Sequence, residues 1–324
     1  MNRQLLLMRH GKSDWRVDAD DFDRPLKTRG KRGAQRMGVW LLQQNLVPDY
    51  IISSPAERAS NTAAKLTKAM GLTRQHIHYD ARIYEADIEQ LQAVLADCPA
   101  HSHRVLLVGH NPGLEELLLH LHGSDIERPE DGKLLPTATL AVLKMPEDWS
   151  ELKPGTAKLT SITRASTLSE TFPFNGIAGL EQRLRPAYYY SQSAVIPYRI
   201  KNSELQLLLI SSSGKNHWVV PKGIIEPGCS AHASAANEAW EEAGVRGIVS
   251  EQMLGCYQYQ KWGGTCTVQV FPMLVTDFIG DREWEESHRH REWFTLKKAT
   301  LLIEQQPLQA MFAALAAALG QGKN

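Results

Sequence analysis

Residues 4–11 read QLLLMRHG, a short apolar run that ends in arginine, histidine and glycine. A run of this length bounded by polar residues is typical of a strand that is buried on both faces, as in parallel sheets. Residues 50–53 and 104–108 have the same form, and segments with helical periodicity separate the runs. This alternation predicts an α/β sheet with helices on both faces. The other elements expected here are helices at 31–44, 57–70, 87–96 and 113–121 and strands at 138–144 and 158–163.

The second half of the chain has a different pattern. A stretch of mixed polarity, residues 166–185, carries no sustained period, and we interpret it as a linker between a domain at 1–165 and a domain at 186–324. Several strand-like runs then surround a single strong helix, which predicts an α+β domain. The expected strands are 194–199, 205–211, 217–220, 255–259 and 267–275, and the expected helices are 230–243 and 307–319.

Composition narrows the classes of partner. The 324 residues carry a formal net charge of zero, so no global field favours a nucleic acid polymer or a membrane surface. No apolar stretch approaches the roughly 18 residues of a membrane span, and the run before Arg9 is too short for a signal sequence. The four cysteines form no Cys-x-x-Cys pair, which is typical of reduced thiols and predicts a cytoplasmic protein.

Two histidines and two arginines follow the strands of the first half. Arg9 and His10 end the first strand, Arg58 lies just after the second, and His110 ends the third. Because ligands bind at the carboxyl ends of strands in open parallel sheets, we expect these side chains in one crevice. Arginine holds phosphate through paired hydrogen bonds, and a neutral histidine can attack phosphorus. The pattern therefore predicts phosphoryl transfer.

The segment from Leu5 to Arg164 resembles the histidine phosphatase superfamily, and within it the small SixA-type phosphohistidine phosphatases. The resemblance implies an α/β fold of the phosphoglycerate mutase-like kind, no cofactor, His10 as the nucleophile, and Arg9, Arg58 and His110 as phosphate ligands. For the general acid it leaves Glu85 as the candidate. The alternative for Glu85 is a carboxylate that stabilises a helix N-terminus. The motifs that carry the resemblance are LLLMRHGKSDW, RPLKTRGKRGAQRMGVWL, IISSPAERASNTA and VLLVGHNPGLEELL.

Three glutamates lie on one face of the helix expected at 230–243. Glu238 is three positions before Glu241 and four before Glu242, and like charges at these spacings repel by roughly 0.2–0.5 kcal/mol per pair. Two of them also occupy the last turn, where the helix dipole disfavours anions. A solvated acidic face would carry both penalties, whereas a divalent cation would remove them. Oxygen ligands of this kind suit Mg²⁺ or Mn²⁺.

The same stretch resembles the Nudix hydrolase box, G-x5-E-x7-R-E-U-x-E-E-x-G-U, in which U is a bulky apolar residue. The resemblance implies a Nudix fold, metal ligation by the three glutamates and participation of Glu238 in catalysis. Cys229 and Asn237 replace the Glu and Arg that pair in the family, so no orphaned charge is left. Ala239 is a smaller residue than the pattern prefers. The positions that match are Gly223, Glu238, Glu241, Glu242, Gly244 and Val245.

The rest of the domain resembles the Nudix branch that cleaves diphosphoinositol polyphosphates and diadenosine polyphosphates. A highly phosphorylated substrate needs a basic rim, although each cation taken singly is equally an ordinary surface charge. The candidates for substrate binding are Arg199, Lys222, Lys261 and Arg291, with Arg289 beside them, and a further carboxylate could come from Glu283, Glu285 or Glu286.

Taken together, the two halves predict a bifunctional phosphohydrolase. One centre would remove phosphoryl groups from a phosphomonoester or a phosphohistidine-bearing protein, and the other would cleave P–O–P links of a phosphorylated small molecule. Two alternatives for the second half stay open at this point: hydrolysis of oxidised nucleoside triphosphates, and non-catalytic sensing of a phosphorylated ligand.

Overall fold

The computed structural model describes residues 3–177, 179–212, 214, 217–280, 284, 286 and 288–320. The chain divides into two compact units, Met1–Phe172 and Pro173–Asn324. All four cysteines are free thiols. Among the helices described, none combines the length and the apolar character needed to cross a bilayer.

The first unit is built on a six-stranded sheet that contains every strand expected from the sequence, together with one short strand that was not expected. That strand is only three residues long, too short to show a period. The elements in chain order are β1 Arg3–Arg9, α1 Thr28–Gln43, β2 Tyr50–Ser53, α2 Glu57–Ala69, β3 Ile77–Tyr79, α3 Ile88–Ala96, β4 Arg104–Gly109, α4 Gly113–His122, β5 Thr139–Met145 and β6 Lys158–Arg164.

The strand order is β3-β2-β4-β1-β5-β6. Strands β1 to β4 are parallel, while β5 runs antiparallel to β1 and β6 antiparallel to β5. The side chains of β1 alternate between two apolar clusters: Leu5 and Leu7 pack with α3 and α4, whereas Leu6 and Met8 pack with α1 and α2. Helices therefore cover both faces, as the sequence predicts.

The second unit holds an eight-stranded sheet and three helices. Its elements are β7 Phe172–Gly176, β8 Gly179–Arg183, β9 Ser191–Lys201, β10 Glu204–Ser211, β11 Trp218–Val219, β12 Lys222–Ile224, α5 Ala231–Ala243, β13 Val245–Val249, β14 Gly255–Lys261, β15 Gly264–Phe278, β16 Arg291–Thr295, α6 Leu296–Leu302 and α7 Gln306–Ala318.

The main path of this sheet is β11-β10-β9-β15-β13, with β12 on β9, β14 on β15 and β16 on β10. Only β9 and β15 are a parallel pair among these pairings. Ala194 and Ile196 of β9 pack with α7, and Val195 between them packs with α5. The α+β fold is thus a mixed sheet with a helix on each face, and the alternation along β9 builds both cores.

Helix α5 begins and ends where its sequence predicts. The Ser230 hydroxyl accepts a hydrogen bond from the backbone N–H of Ala233 at 3.3 Å, which satisfies one of the free donors of the first turn. Gly244 follows the last residue with φ +62° and ψ +35°, the left-handed conformation that glycine adopts without a steric penalty.

The stretch expected as a linker contains structure. Strands β7 and β8 pair with each other as a two-stranded sheet. The Arg183 guanidinium lies over the Phe174 ring at 3.3 Å and over the Tyr190 ring at 4.6 Å. Cation–π contacts of this kind follow no sequence period, which is why composition alone indicated a linker here.

Candidate functional site

Strands β1 and β4 bring His10 and His110 together. The two strands are parallel neighbours that end in register at Arg9 and Gly109, and the backbone N–H of His10 donates to the Gly109 carbonyl at 3.1 Å. The two imidazole centroids are 5.1 Å apart. Both rings are buried, His10 to 7% exposure and His110 to 9%. The sequence prediction that these histidines share one crevice is therefore met in the geometry.

The hydrogen bond of the His10 ring defines its tautomer. Nδ1 lies 2.7 Å from the Gly11 carbonyl oxygen, and a carbonyl oxygen can only accept. Nδ1 therefore carries the proton, and Nε2 keeps an unprotonated lone pair. On His110, Nε2 lies 2.9 Å from the Ser54 hydroxyl.

Burial keeps both imidazoles neutral. It lowers the pKa of His10 to about 4; the Gly11 carbonyl and Asp21 oppose that shift, while the positive charges of Arg58 and Arg9 reinforce it. Burial also lowers the pKa of His110 to about 3, with further lowering by His10 and Arg58. At neutral pH both rings are uncharged, which is the state that a histidine nucleophile needs.

Arg58 reaches the same crevice from the first turn of α2. It is held by Asp21, a residue that the sequence did not indicate. Its Nη2 lies 2.7 Å from Asp21 Oδ2, and its Nη1 donates to the Asp21 backbone carbonyl. The Tyr84 hydroxyl donates to the same carboxylate at 3.0 Å, and the Tyr84 ring meets His110 edge-on at 5.6 Å. Burial acts to raise the pKa of Asp21, but hydrogen bonds from Tyr84 and Arg58 outweigh it and lower the pKa.

Arginine nitrogens without partners mark this crevice as an anion site. Arg9 donates from Nη1 to the Leu135 carbonyl at 2.7 Å, while its Nε is buried and has no hydrogen-bond partner in the described part of the chain. Arg24 has the same property at Nε and Nη1. It stacks at 3.4 Å over Trp15 and lies 3.6 Å from Asp21. Buried donors are nearly always satisfied in native proteins, so these nitrogens are available to donate to an oxyanion held in the crevice.

Glu85 lies apart from a helix N-terminus. It occupies the turn before α3 with φ +53° and an exposed side chain. The cap of α3 is Asp87, which forms a capping box with Gln90. Asp87, and not Glu85, is thus the carboxylate that caps α3. The role of Glu85 as a general acid stays a prediction.

In the second unit, β12 lies against α5 and brings Gly223 to the Glu238 side chain. A Cβ atom added at Gly223 would fall on the Glu238 carboxylate. Glycine is therefore required for this close approach, and the glycine and first glutamate of the matched pattern form one structural unit. Glu238 is half-buried, and Glu241 on the same face of α5 is exposed.

Glu242 is engaged by two partners. One oxygen accepts from the backbone N–H of Lys222 at 2.9 Å, and the other lies 2.7 Å from Nη2 of Arg289. Burial raises the pKa of Glu242, and the Lys222 amide and Arg289 oppose that shift. Arg289 also pairs with Glu286 at 2.5 Å. Of the candidates for a further carboxylate, Glu286 thus pairs with Arg289, and Glu283 and Glu285 lie outside the described residues.

The carboxylates on this face of α5 indicate which kind of cation it could hold. Within the ranges that the structure describes, no three ligand groups are preassembled as a metal centre. The donors present are carboxylate oxygens only, and Glu238 is seated against Gly223. Hard oxygen donors of this kind fit a hard divalent cation that keeps part of its water shell. Glu238 and Glu241 would be its direct ligands, with Glu242 beside them.

The predicted basic residues separate into three places. The Lys222 ammonium lies 3.5 Å from the Tyr259 hydroxyl, and its pKa is lowered by burial and then by the charge of Lys261. These two lysines share the β12 side of the unit. Lys222 of β12 pairs with Ala194 of β9. Arg199 lies five residues further along β9, so its Cα atom is about 16 Å from that of Ala194 at the usual rise of a strand. It stacks at 4.1 Å over Trp293.

Arg291 caps the C-terminus of α5. Its guanidinium donates to the carbonyls of Ala243 at 2.7 Å, Gly244 at 3.3 Å and Ile279 at 2.5 Å. These three carbonyls engage both terminal nitrogens of the guanidinium. The structure gives Arg291 a structural position, so we do not include it or the distant Arg199 in the proposed substrate site.

Comparisons with known proteins identify both halves. Residues 5–97 match the histidine phosphatase superfamily (branch 1), and residues 191–315 match the NUDIX domain. Two similar proteins are a Nudix hydrolase and a diphosphoinositol polyphosphate phosphohydrolase. Nudix hydrolase 12, mitochondrial, of Arabidopsis thaliana is 31% identical over 139 residues, which cover 36% of this chain and 68% of the relative. Diphosphoinositol polyphosphate phosphohydrolase 3-alpha of Mus musculus is 30% identical over 131 residues, which cover 39% and 77%.

Among solved structures, one described as the phosphohistidine phosphatase SixA of Agrobacterium tumefaciens matches at a TM-score of 0.43. It is 27% identical, and the match covers 50% of this chain and 99% of that one. The two domain matches, to a phosphatase superfamily and to a hydrolase family, make the chain a phosphohydrolase. The chain belongs to the Nudix hydrolase family through its C-terminal domain, and its N-terminal domain is similar to the histidine phosphatase superfamily over residues 5–97.

Proposed function

We propose that the protein is a bifunctional phosphohydrolase with a histidine-based centre in the first domain and a metal-dependent diphosphatase centre in the second. The observation that carries the proposal is the pair of neutral, buried imidazoles 5.1 Å apart at the ends of β1 and β4. In the described part of the chain, buried guanidinium nitrogens without hydrogen-bond partners occur on Arg9, at the end of β1, and on Arg24, which lies 3.6 Å from Asp21. This arrangement supports attack on a phosphoryl group held by arginines.

In the first step, Nε2 of His10 forms a bond to phosphorus as the bond to the leaving oxygen breaks. Arg9, Arg58 and His110 hold the equatorial oxygens, and Arg58 exchanges its Asp21 contact for the phosphoryl group. The leaving oxygen takes a proton from Glu85 or from water. Water then attacks phosphorus, the P–N bond breaks, and His10 returns to its neutral state. The substrate is a phosphomonoester or a phosphohistidine side chain of a protein. For phosphohistidine, the bond that breaks in the first step is P–N, and the imidazole nitrogen is the leaving atom that takes the proton.

In the second centre, water attacks one phosphorus of a P–O–P link and the other phosphate leaves. A divalent cation, Mg²⁺ or Mn²⁺, would polarise the attacked phosphate and neutralise the leaving group. Glu238 and Glu241 would hold that cation, Glu238 could also accept the proton of the water, and Lys222 and Lys261 would offset substrate charge. The similarity to the mouse diphosphoinositol polyphosphate phosphohydrolase supports a diphosphoinositol polyphosphate or a similar polyphosphate as the substrate class.

The proposal is tested by a phosphate-release screen on the intact chain and on His10→Ala and Glu241→Gln. The probes are a phosphohistidine protein, a dinucleoside polyphosphate, a diphosphoinositol polyphosphate and an oxidised nucleoside triphosphate. Two independent centres are supported if His10→Ala loses only the phosphatase activity and Glu241→Gln loses only the diphosphatase activity. Preference for the oxidised nucleotide would support nucleotide-pool cleansing instead. Absence of any Mg²⁺-dependent turnover would support a sensor.

The low pKa of His10 predicts an unusual pH profile. Since its pKa is lowered to about 4, the attacking neutral form persists as pH falls, and protonation removes it only near pH 4. We expect kcat/KM for p-nitrophenyl phosphate, corrected for the titration of the substrate, to stay level from pH 7 to pH 5 and to fall below pH 4. A limb near pH 6.5, the value of an ordinary histidine, would contradict this.

Gly223→Ala tests the contact with Glu238. The new Cβ displaces the carboxylate, which is the flexible end of a side chain, so the fold is kept while the ligand moves. We expect a loss of diphosphatase activity of roughly tenfold to 10²-fold from misplacement alone, without a matching loss of thermal stability. Gly280→Ala is the control, since a Cβ there meets no atom within 4 Å. Equal effects of the two substitutions would refute the assignment.

A further inference from the structure

A second basic cavity lies in the first unit, beside the histidine centre. It has a volume of about 570 Å³, within the usual range of small-molecule sites; we call it the α1 pocket because the N-terminus of α1 forms one wall. Its lining includes Lys12, two residues after His10, and Ala138, whose N–H donates to the His10 carbonyl at 3.0 Å. The pocket therefore borders the backbone that carries the nucleophile.

Positive charge dominates this lining. Five cationic side chains, Lys12, Arg29, Arg32, Arg36 and Arg164, face two carboxylates. Arg164 is paired with Asp131 at 2.7 Å, and Arg36 lies 3.2 Å from a Glu170 side chain that is 89% exposed. In the part of the chain described, no ion pair involves Lys12, Arg29 or Arg32. On a protein with zero formal net charge, this is a local excess that favours an anion.

The start of α1 adds to this field. The N-cap residue Lys27 makes no side-chain hydrogen bond to the first turn, and that turn contains no acidic residue. Most helices place an acceptor or an anion there to match the free N–H groups and the dipole. The first turn of this 16-residue helix therefore has no side-chain acceptor and no anion of its own to match its dipole.

A buried hydroxyl gives an independent sign of a ligand. Thr139 lines the pocket and is fully buried, and its Oγ1 has no hydrogen-bond partner among the residues that the structure describes. Nε of Arg36, in the same lining, is also buried and has no partner among those residues. Buried polar atoms are seldom left unsatisfied. The Thr139 hydroxyl and the Arg36 Nε both belong to residues that line the pocket, and both are donors of the kind that bind phosphate oxygens.

We infer that the α1 pocket binds a non-reacting phosphate group of a small, multiply phosphorylated molecule while another of its phosphates lies at His10. The placement of another phosphate at His10 rests on the proposed function of that centre. The binding of an anion in the α1 pocket rests on the pocket alone. The ligand class is a compact polyphosphate ester, because a concave cavity of this size admits phosphate groups on a small scaffold. The pocket would thus select substrates with at least two phosphates.

Equilibrium binding tests the pocket without turnover. The full-length His10→Ala protein is titrated with inorganic tripolyphosphate in EDTA, which removes any divalent cation. Arg29→Ala/Arg32→Ala should weaken binding at least about tenfold, since contacts of a charged donor to phosphate are of that size. Thr139→Val, which keeps the shape, should weaken it several-fold. The matched control is Lys31→Ala/Arg74→Ala, two exposed cations outside the lining, which should change affinity by less than about twofold.

Unchanged affinity in Arg29→Ala/Arg32→Ala, or equal losses in the control, would overturn the inference. A second contrary result would be that hexaglutamate binds as tightly as tripolyphosphate and that Arg29→Ala/Arg32→Ala weakens the binding of both. The pocket would then recognise acidic peptide and not phosphate.

Kinetics separate this inference from the proposed function. With His10 intact, Arg29→Ala/Arg32→Ala should raise KM for inositol hexakisphosphate at least about tenfold with kcat retained, and should leave p-nitrophenyl phosphate hydrolysis unchanged. Equal loss on both substrates would overturn the second-phosphate role. If neither substrate is hydrolysed by the intact chain, the proposed function fails, while the tripolyphosphate titration still decides whether the pocket binds phosphate.

Discussion

Replacing His10 with alanine is expected to lower phosphomonoester hydrolysis by roughly 10⁴-fold or more, the scale on which enzymes lose rate with their nucleophile. The attacking nitrogen leaves with the ring, whereas Arg9, Arg58 and His110 still form the anion site. Binding of phosphate should therefore survive while turnover does not. Rapid-quench labelling should show an acid-labile phosphoryl group on the wild-type protein and none on the variant.

The control for this substitution is His101→Ala, an exposed histidine in the turn before β4. It should leave both activities unchanged. Mg²⁺-dependent diphosphatase activity in His10→Ala should match that of the wild-type chain, because the second domain has its own core. Phosphomonoesterase activity that survives in His10→Ala, with a labelled residue elsewhere, would refute His10 as the nucleophile.

The sequence predicts the inner part of this site but not its outer part. Arg9, His10 and His110 can be placed because each directly follows a buried strand, and parallel strands bring their ends together. Asp21 and Arg24 cannot be placed in this way, because they lie in an irregular segment. Gly11 and Gly30, which flank that segment, approach each other closely in the fold. A tertiary contact of this kind cannot be predicted from a local sequence pattern.

The second site shows a similar limit for a different reason. The sequence places the three glutamates on one face of a helix, and it indicates repulsion at the helix C-terminus that a cation would relieve. In the folded chain two arginines relieve part of it: Arg289 pairs with Glu242, and Arg291 caps the carbonyls after α5. Their approach depends on the register of β16 on β10, which is a long-range pairing. The charge argument for a metal thus applies chiefly to Glu238 and Glu241.

Glu241→Gln should therefore separate activity from stability. Losing one carboxylate ligand removes several kcal/mol of charge stabilisation in the transition state, so Mg²⁺-dependent cleavage of P–O–P links should fall roughly 10³-fold. Stability should be unchanged or slightly higher. Glu241 is an exposed anion in the last turn of α5, where removal of like-charge repulsion contributes about 0.2–0.5 kcal/mol.

Opposite signs in the two measurements distinguish a metal ligand from a structural residue, because a structural residue would lower both. Diphosphatase rates across a Mg²⁺ titration and thermal unfolding of the full chain provide the readouts, with Glu251→Gln, an exposed glutamate after β13, as the control. If excess Mg²⁺ restores the rate, Glu241 contributes mainly to cation affinity. If the rate of Glu241→Gln equals that of wild type, Glu241 is not a ligand, and the cation must be held by Glu238 with partners other than those proposed.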